Sequence, residues 1–262
     1  MPTDLLFSTQ WADDHANRMG HGPLSILIRK LLSHSRLSAS DQQAIAALPH
    51  VIKHVETGTS ILREGDRADI CPILLAGFVY RQKVASDGGR QIVSLKLPGD
   101  ALDFQSLYLH FADHDVRTLT PATLAMIPLK AVEDLTVARP GVARAVLVDI
   151  LIEASIGREW LLNIGRRSAL ARLAHLLCEL HDRVNDIASE HTGSFGVPLT
   201  QEQLADLLGL TPVHINRMLR QLEQVGAIGR PSRSLTILNF PKLAQISNFS
   251  SAYLHRNNLS GV

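Results

Sequence analysis

Val213, His214, Asn216, Arg217 and Arg220 lie within eight residues of one another. At 3.6 residues per turn, positions 213, 217 and 220 share one side of a helix, with 216 beside them. A guanidinium can grip two acceptors at once, and a carboxamide can donate and accept together. Groups of these kinds, with an apolar Val213 beside them, are among those that read base edges. Thr200, His214 and Arg220 are placed for phosphate oxygens, which position a protein on a duplex without specifying sequence. Thr211, at the mouth of the same helix, is grouped with them. A plain solvated role for His214 and Arg220 stays open.

The flanking residues say how such a helix would be held. Thr200 followed three residues later by Gln203 is a capping box that starts a helix. Gly209 ends it, Thr211 caps the next, and Pro212 occupies that helix's first turn. The second helix runs to about Val225, before Gly226. Leu204, Leu208, Leu210, Ile215 and Met218 supply a shared core, and Ala205 is small where the helices cross. A simple αα-hairpin shows part of this pattern; the outward polar face is what a recognition helix requires. Ile228-Gly229-Arg230, Arg233 and Leu235–Leu238 read as a β-hairpin wing carrying two cations.

Upstream the period changes. Residues 1–22 lack a periodic pattern and read as a disordered arm. Leu24 to Leu48 is helical in character, with Ser40–Asp41 capping its second segment. From Val51, short apolar stretches alternate with turn residues: Ser60–Leu62, Pro72–Leu75, Phe78–Val84, Ile92–Leu97, Val116–Leu119 and Thr123–Ile127. Asp87-Gly88-Gly89 marks a hairpin. Val93, Leu95 and Leu97 alternate with Ile92, Ser94 and Lys96, the pattern of a strand with one buried face. Together these predict an antiparallel sandwich or barrel. Pro140 opens a long helix to Ile164, with Val142, Val146, Ile152, Ile156 and Trp160 along one side. Leu147, Leu151, Ala154, Leu161 and Ile164 lie elsewhere, so more than one side must be buried, one of them against a second copy of the chain. Gly165 then separates the next helix, Ser168–Asp186.

Composition narrows the class. In 262 residues, 45% are hydrophobic and 19% charged, an ordinary globular balance. The net charge of +1 hides an asymmetry: from Leu208 onward six Lys/Arg face one acidic residue, Glu223, which suits a polyanionic partner. Cys71 and Cys178 are far apart and make no disulfide framework, zinc knuckle or iron–sulfur ligand set. The acidic N-terminus does not read as a signal peptide, and five charges interrupt the apolar run at 142–164, so no membrane span is expected. A cytoplasmic location follows.

The element order and motifs resemble the cyclic-AMP receptor protein / fumarate–nitrate reduction regulator (CRP/FNR) superfamily over roughly residues 45–245. Pro98-Gly99-Asp100 after a strand, the long helix before Gly165, Leu199–Ile228 and Leu235-Thr236-Ile237 carry the resemblance. It implies an α+β fold: a β-roll sensory domain at 23–138, a dimerisation helix at 139–164, a winged helix-turn-helix at 165–245 and a tail at 246–262. It also implies a homodimer reading a two-fold symmetric site in double-stranded DNA, with RNA polymerase as a further partner. The family's recognition arginine matches Arg217, which implies a bidentate contact with a guanine edge; beside it Asn216 suits adenine and Val213 a thymine methyl. Val213 replaces its usual glutamate and Asn216 a serine or glycine, which puts the common half-site in doubt.

Cyclic-nucleotide binders of this superfamily bring a Gly-Glu pair to the ribose and an Arg-Ser/Thr pair to the phosphate. Here those positions hold Asp103 and Phe104, and Ala112 or Asp113, while Arg117 belongs to the following strand. A phosphate facing Asp103 and Asp113 would be repelled, so an unidentified effector other than cyclic AMP is expected. The cysteine cluster of the oxygen-sensing branch is absent, and no cofactor, metal or catalytic residue is expected. Two alternatives remain: a divergent cyclic-nucleotide pocket, and a metal-dependent β-barrel enzyme. The second would use His110 and His114, which share a face if their segment is helical, with Asp113 or Asp115.

Overall fold

The computed structural model describes residues 22–187, 196–197, 199–230 and 235–256. The arm expected over residues 1–22 thus lies, Gly22 apart, outside the described residues, as do Arg233 and the end of the tail. The described chain divides into two compact units, 22–82 with 95–154 and 254–256, and 83–94 with 155–253.

The first unit begins with α1 (Ser25–Leu32) and α2 (Ala39–Ala46). Ser38, not Ser40, caps α2. Its hydroxyl accepts from Asp41 N at 3.1 Å and its own N–H donates to Asp41, because Ser38 has the extended backbone that an N-cap needs. Seven strands follow, with residues 83–94 at the end of β4 and the start of β5 belonging to the second unit: β1 (Val51–Val55), β2 (Ser60–Leu62), β3 (Ile70–Ala76), β4 (Val79–Val84), β5 (Arg90–Lys96), β6 (Asp115–Thr118) and β7 (Ala122–Pro128). They form two antiparallel sheets, β1-β7-β3 and β2-β6-β4-β5. Val55, Leu74, Val79, Leu102, Val116, Ala122 and Leu124 make a shared apolar core. Arg81 pairs in register with Val116 and so points to the same side as Val79. Between β3 and β4, Gly77 takes φ +88°, and a Cβ there would stand 2.3 Å from the Pro121 carbonyl oxygen.

β5 departs from the one-faced strand that its sequence predicts. Ile92, Leu95, Lys96 and Leu97 are all buried, whereas Val93 is exposed. From Leu95 on, the strand is covered on both faces, and Lys96 tolerates burial because its ammonium meets Glu153.

α3 (Leu129–Ala138) leads to α4 (Pro140–Arg166), which passes through Gly165 without a break. Glycine inside a helix costs about 1 kcal/mol, less than the flanking packing supplies. Val142, Val146 and Trp160 are buried, but Leu147, Leu151 and Leu161 are exposed.

The second unit holds the rest of α4, α5 (Ala169–Ile187), α6 (Gln201–Leu208), α7 (Pro212–Gln224) and α8 (Phe240–Ser247). β8 (Gly196–Val197), β10 (Leu235–Ile237) and β9 (Ile228–Gly229) form a small sheet in that order. The β9–β10 pair is the expected wing. β8 was not legible, since two residues show no period.

α5 carries a buried polar cluster that its amphipathic pattern conceals. Glu179, fully buried, accepts from Trp160 Nε1 at 2.9 Å, Tyr253 Oη at 2.8 Å and Arg183 Nη1 at 3.3 Å. One turn away His175 stacks on Tyr253 and meets Phe249 edge-on, with Nε2 3.2 Å from Glu159. Burial, helped by Arg167, lowers the His175 pKa against the pull of Glu179 and Glu159. The unfolded chain therefore binds a proton near pH 6.5 that the folded chain refuses. Stability is full above that pH and falls as pH drops beneath it, by up to about 1.4 kcal/mol per pH unit for this site. His114 in the other unit is shifted the same way, by burial and then by Arg81. In urea denaturation at pH 7.5, 6 and 5, wild type should lose more stability than His175→Phe; equal losses would remove His175 as the source.

Candidate nucleic-acid interface

α6 and α7 are set up by local chemistry. Thr200 Oγ1 accepts from Gln203 N at 3.2 Å, and Gln203 Oε1 accepts from Thr200 N at 2.9 Å. Gly209 then adopts φ 61°, ψ 43°, the left-handed conformation that turns the chain. Thr211 Oγ1 accepts from His214 N at 3.3 Å, and Pro212 begins α7. Leu204, Ala205 and Leu208 pack with Ile215, Met218, Leu219 and Leu222, all buried; Leu210 is only half-buried.

The opposite side of α7 is open. Val213 is 78% exposed, and Thr211, His214, Arg217 and Arg220 are exposed, with Asn216 half-buried beside them. Thr200 is exposed at the start of α6. The residues singled out from the sequence thus gather at the start of α6 and along the open side of α7, from its cap Thr211 to Arg220 in its third turn. Arg230 does not join them as a loose cation: its Nε donates to Glu223 at 2.7 Å, and this bond lowers the Glu223 pKa.

Three residues that the sequence did not flag hold α6 within the same unit. Gln91 Nε2 donates to the carbonyls of Asp206 at 2.6 Å and Leu207 at 3.2 Å. Arg172 Nη1 donates to the Leu208 carbonyl at 3.1 Å, and Arg90 Nε meets Asp206 Oδ2 at 2.8 Å. The last carbonyls of a helix have no partner of their own, so Gln91 and Arg172 supply one, while Arg90 holds the Asp206 side chain. The only sequence signal was polar residues after a hairpin turn, which is not distinctive.

In the β-rich unit the nucleotide positions are filled differently from those of a cyclic-nucleotide site. Asp103 is buried and accepts from Ser106, while its Oδ1 has no hydrogen-bond partner. Ala112 is buried, and Arg117 on β6 donates to the Gly58 carbonyl at 2.8 Å. The segment of His110 and His114 is not helical, since a 3-10 turn ends at Leu107 and β6 begins at Asp115. The two imidazoles therefore share no helix face. His114 Nδ1 lies 2.6 Å from Asp113, and among the described residues no three His, Cys, Asp or Glu side chains gather as a metal site.

A β-rich domain, a long helix and a winged helix-turn-helix follow one another along the chain, the element order of a transcription regulator with a DNA-binding helix-turn-helix. Residues 52–138 match the cyclic nucleotide-binding domain, and residues 171–246 match the Crp-like helix-turn-helix domain. Transcriptional activator protein FnrL of Cereibacter sphaeroides is 26% identical over 211 residues, covering 78% of this chain and 84% of its own. Nitrogen fixation regulation protein FixK of Rhizobium meliloti is 28% identical over 208 residues, covering 76% and 89%. The structure of FixK2 from Bradyrhizobium japonicum superposes with a TM-score of 0.70 at 23% identity, over 78% of this chain and 100% of that one. The chain belongs to the CRP/FNR family of transcription regulators, whose DNA-binding element is the helix-turn-helix. Its relatives are regulators rather than enzymes, and no described helix is long and apolar enough to cross a membrane.

Proposed function

We propose that the chain works as a homodimer that reads a two-fold symmetric operator, with Arg217 bidentate to a guanine, Asn216 on a neighbouring adenine and Val213 against a thymine methyl. Thr200, Thr211, His214 and Arg220 hold phosphates and fix the register. The carrying observation is the open side of α7, where Val213, Arg217 and Arg220 stand out on a helix whose other side is buried. The dimer forms along α4. Leu147, Leu151, Ala154, Arg158, Leu161 and Gly165 are all exposed and recur at steps of four and three, the spacing of a coiled-coil seam. The β-roll responds to a signal other than cyclic AMP, because Asp103, Phe104 and Ala112 stand where that ligand needs complementary groups. Contact with RNA polymerase is proposed from the activator role in the name of the FnrL relative.

Selection of bound duplexes from a random pool tests the reading. A palindrome with half-sites about 10 bp apart, centre to centre, is expected. A pool with no enrichment, or with a lone half-site, overturns it. Once an operator is in hand, Arg217→Ala should weaken binding by about 1–3 kcal/mol, roughly 5- to 160-fold, and relax choice at one base pair. Uniform weakening on every duplex would reassign Arg217 to the backbone.

A further inference from the structure

Arg81 and Lys96 are two buried cations from neighbouring strands, 6% and 4% exposed, in the interior of the β-rich unit. Both donate to the same atom, Glu153 Oε1, Lys96 at 2.6 Å and Arg81 through Nη1. Arg81 Nε and Nη2 are steadied by the Leu102 carbonyl. Glu153 arrives from α4, and one turn earlier Asp149 stands 3.1 Å from Lys30 and 3.4 Å from His34. Lys30 in turn meets Asp100. The carboxylate that bonds both Arg81 and Lys96 comes from a helix outside the roll, while its side chain keeps 29% of its surface in contact with solvent.

We propose that Arg81 and Lys96 form a binding site for a small carboxylate, and that Glu153 occupies it in cis as a tethered ligand. Two buried cations of one sign require an anion, and the chain brings its own on the helix that carries the Leu147–Leu161 seam. The site state is thereby coupled to α4 directly: Leu151 and Ala154 flank Glu153 in sequence and stand exposed. This deepens the proposed regulator and rests on that reading for its regulatory meaning, since Glu153 already neutralises both cations from within the chain. The orphan acceptor Asp103 Oδ1 calls for a donor rather than a second anion.

Chemical rescue tests it on the full-length chain. Glu153→Ala should lower the melting temperature by about 5–15 °C, because it strands two buried cations. Sodium formate at about 0.2 M should then restore at least half of that loss relative to sodium chloride of equal ionic strength, as expected when a ligand binds only the folded state. Wild type should show no formate–chloride difference, and Lys96→Met added to Glu153→Ala should abolish it. If Glu153→Ala does not fold in chloride, refolding yield in formate against chloride gives the same reading. Equal stabilisation by both salts, a melting temperature unchanged by Glu153→Ala, or formate stabilising wild type overturns the assignment. The readout uses no DNA, so its failure leaves the operator reading standing, and a failed operator selection leaves the site standing.

Discussion

Leu151→Asp is expected to leave a monomer that binds the operator at least about 100-fold more weakly than wild type. Leu151 is 57% exposed in the single chain, at the middle of the seam on α4. In a dimer it would face its counterpart, and an aspartate there would place two like charges in a desolvated interface. Losing the second recognition helix removes an avidity gain of about 10²–10⁴. Sedimentation and operator titration read the two effects separately. Val137→Asp is the control, because Val137 is 80% exposed on α3, off the seam, and should alter neither. A Leu151→Asp protein that remains dimeric would move the interface elsewhere.

Gly77→Ala should destabilise the β-rich unit by about 2–4 kcal/mol. Two costs add. The residue sits at φ +88°, which L side chains rarely adopt, and the new methyl would press on backbone, with Pro121 O at 2.3 Å and Ala122 Cα at 2.9 Å. The backbone on the far side is held in turn, since the Phe78 carbonyl accepts from Leu119 N at 2.8 Å and Phe78 N donates to Thr120 Oγ1 at 2.9 Å. Gly58→Ala separates the costs: Gly58 has φ +78° but nothing within 4 Å of its ideal Cβ, so only the conformational part applies. Thermal melting should show Gly77→Ala falling by about 5–15 °C and Gly58→Ala by clearly less. Equal shifts would mean that the Pro121 contact yields freely.

The helix-turn-helix was legible because its signals are local. Thr200 with Gln203, Gly209, and Thr211 with Pro212 each decide a backbone conformation within a few residues, and apolar spacing decides which side of α7 is free. The strands were legible as turn-punctuated segments, but their facing was not. β5 reads as one-sided, yet its burial depends on Glu153, an acidic residue more than fifty positions away. Asp149 and Glu153 looked like interruptions of an apolar run; their four-residue spacing, with Lys96 set in an apolar strand, was the available clue. Ser38 and Ser40 are each followed three residues on by a possible capping partner, Asp41 and Gln43, so local sequence does not separate them. The side chains that finish α6, Gln91 and Arg172, come from distant segments and leave no local trace. His110 and His114 were paired on the assumption of helix, which the short 3-10 turn ending at Leu107 removes.

The cage around Glu179 bears on where this protein can be cut. The family match stops at residue 246, and a cloning boundary drawn there would discard Phe249 and Tyr253. A carboxylate with no solvent access would lose its phenolic donor, and the His175 ring would lose the aromatic lid that keeps it dry. For anyone expressing the DNA-binding half by itself, the natural edge falls after Tyr253, and an affinity tag belongs beyond it.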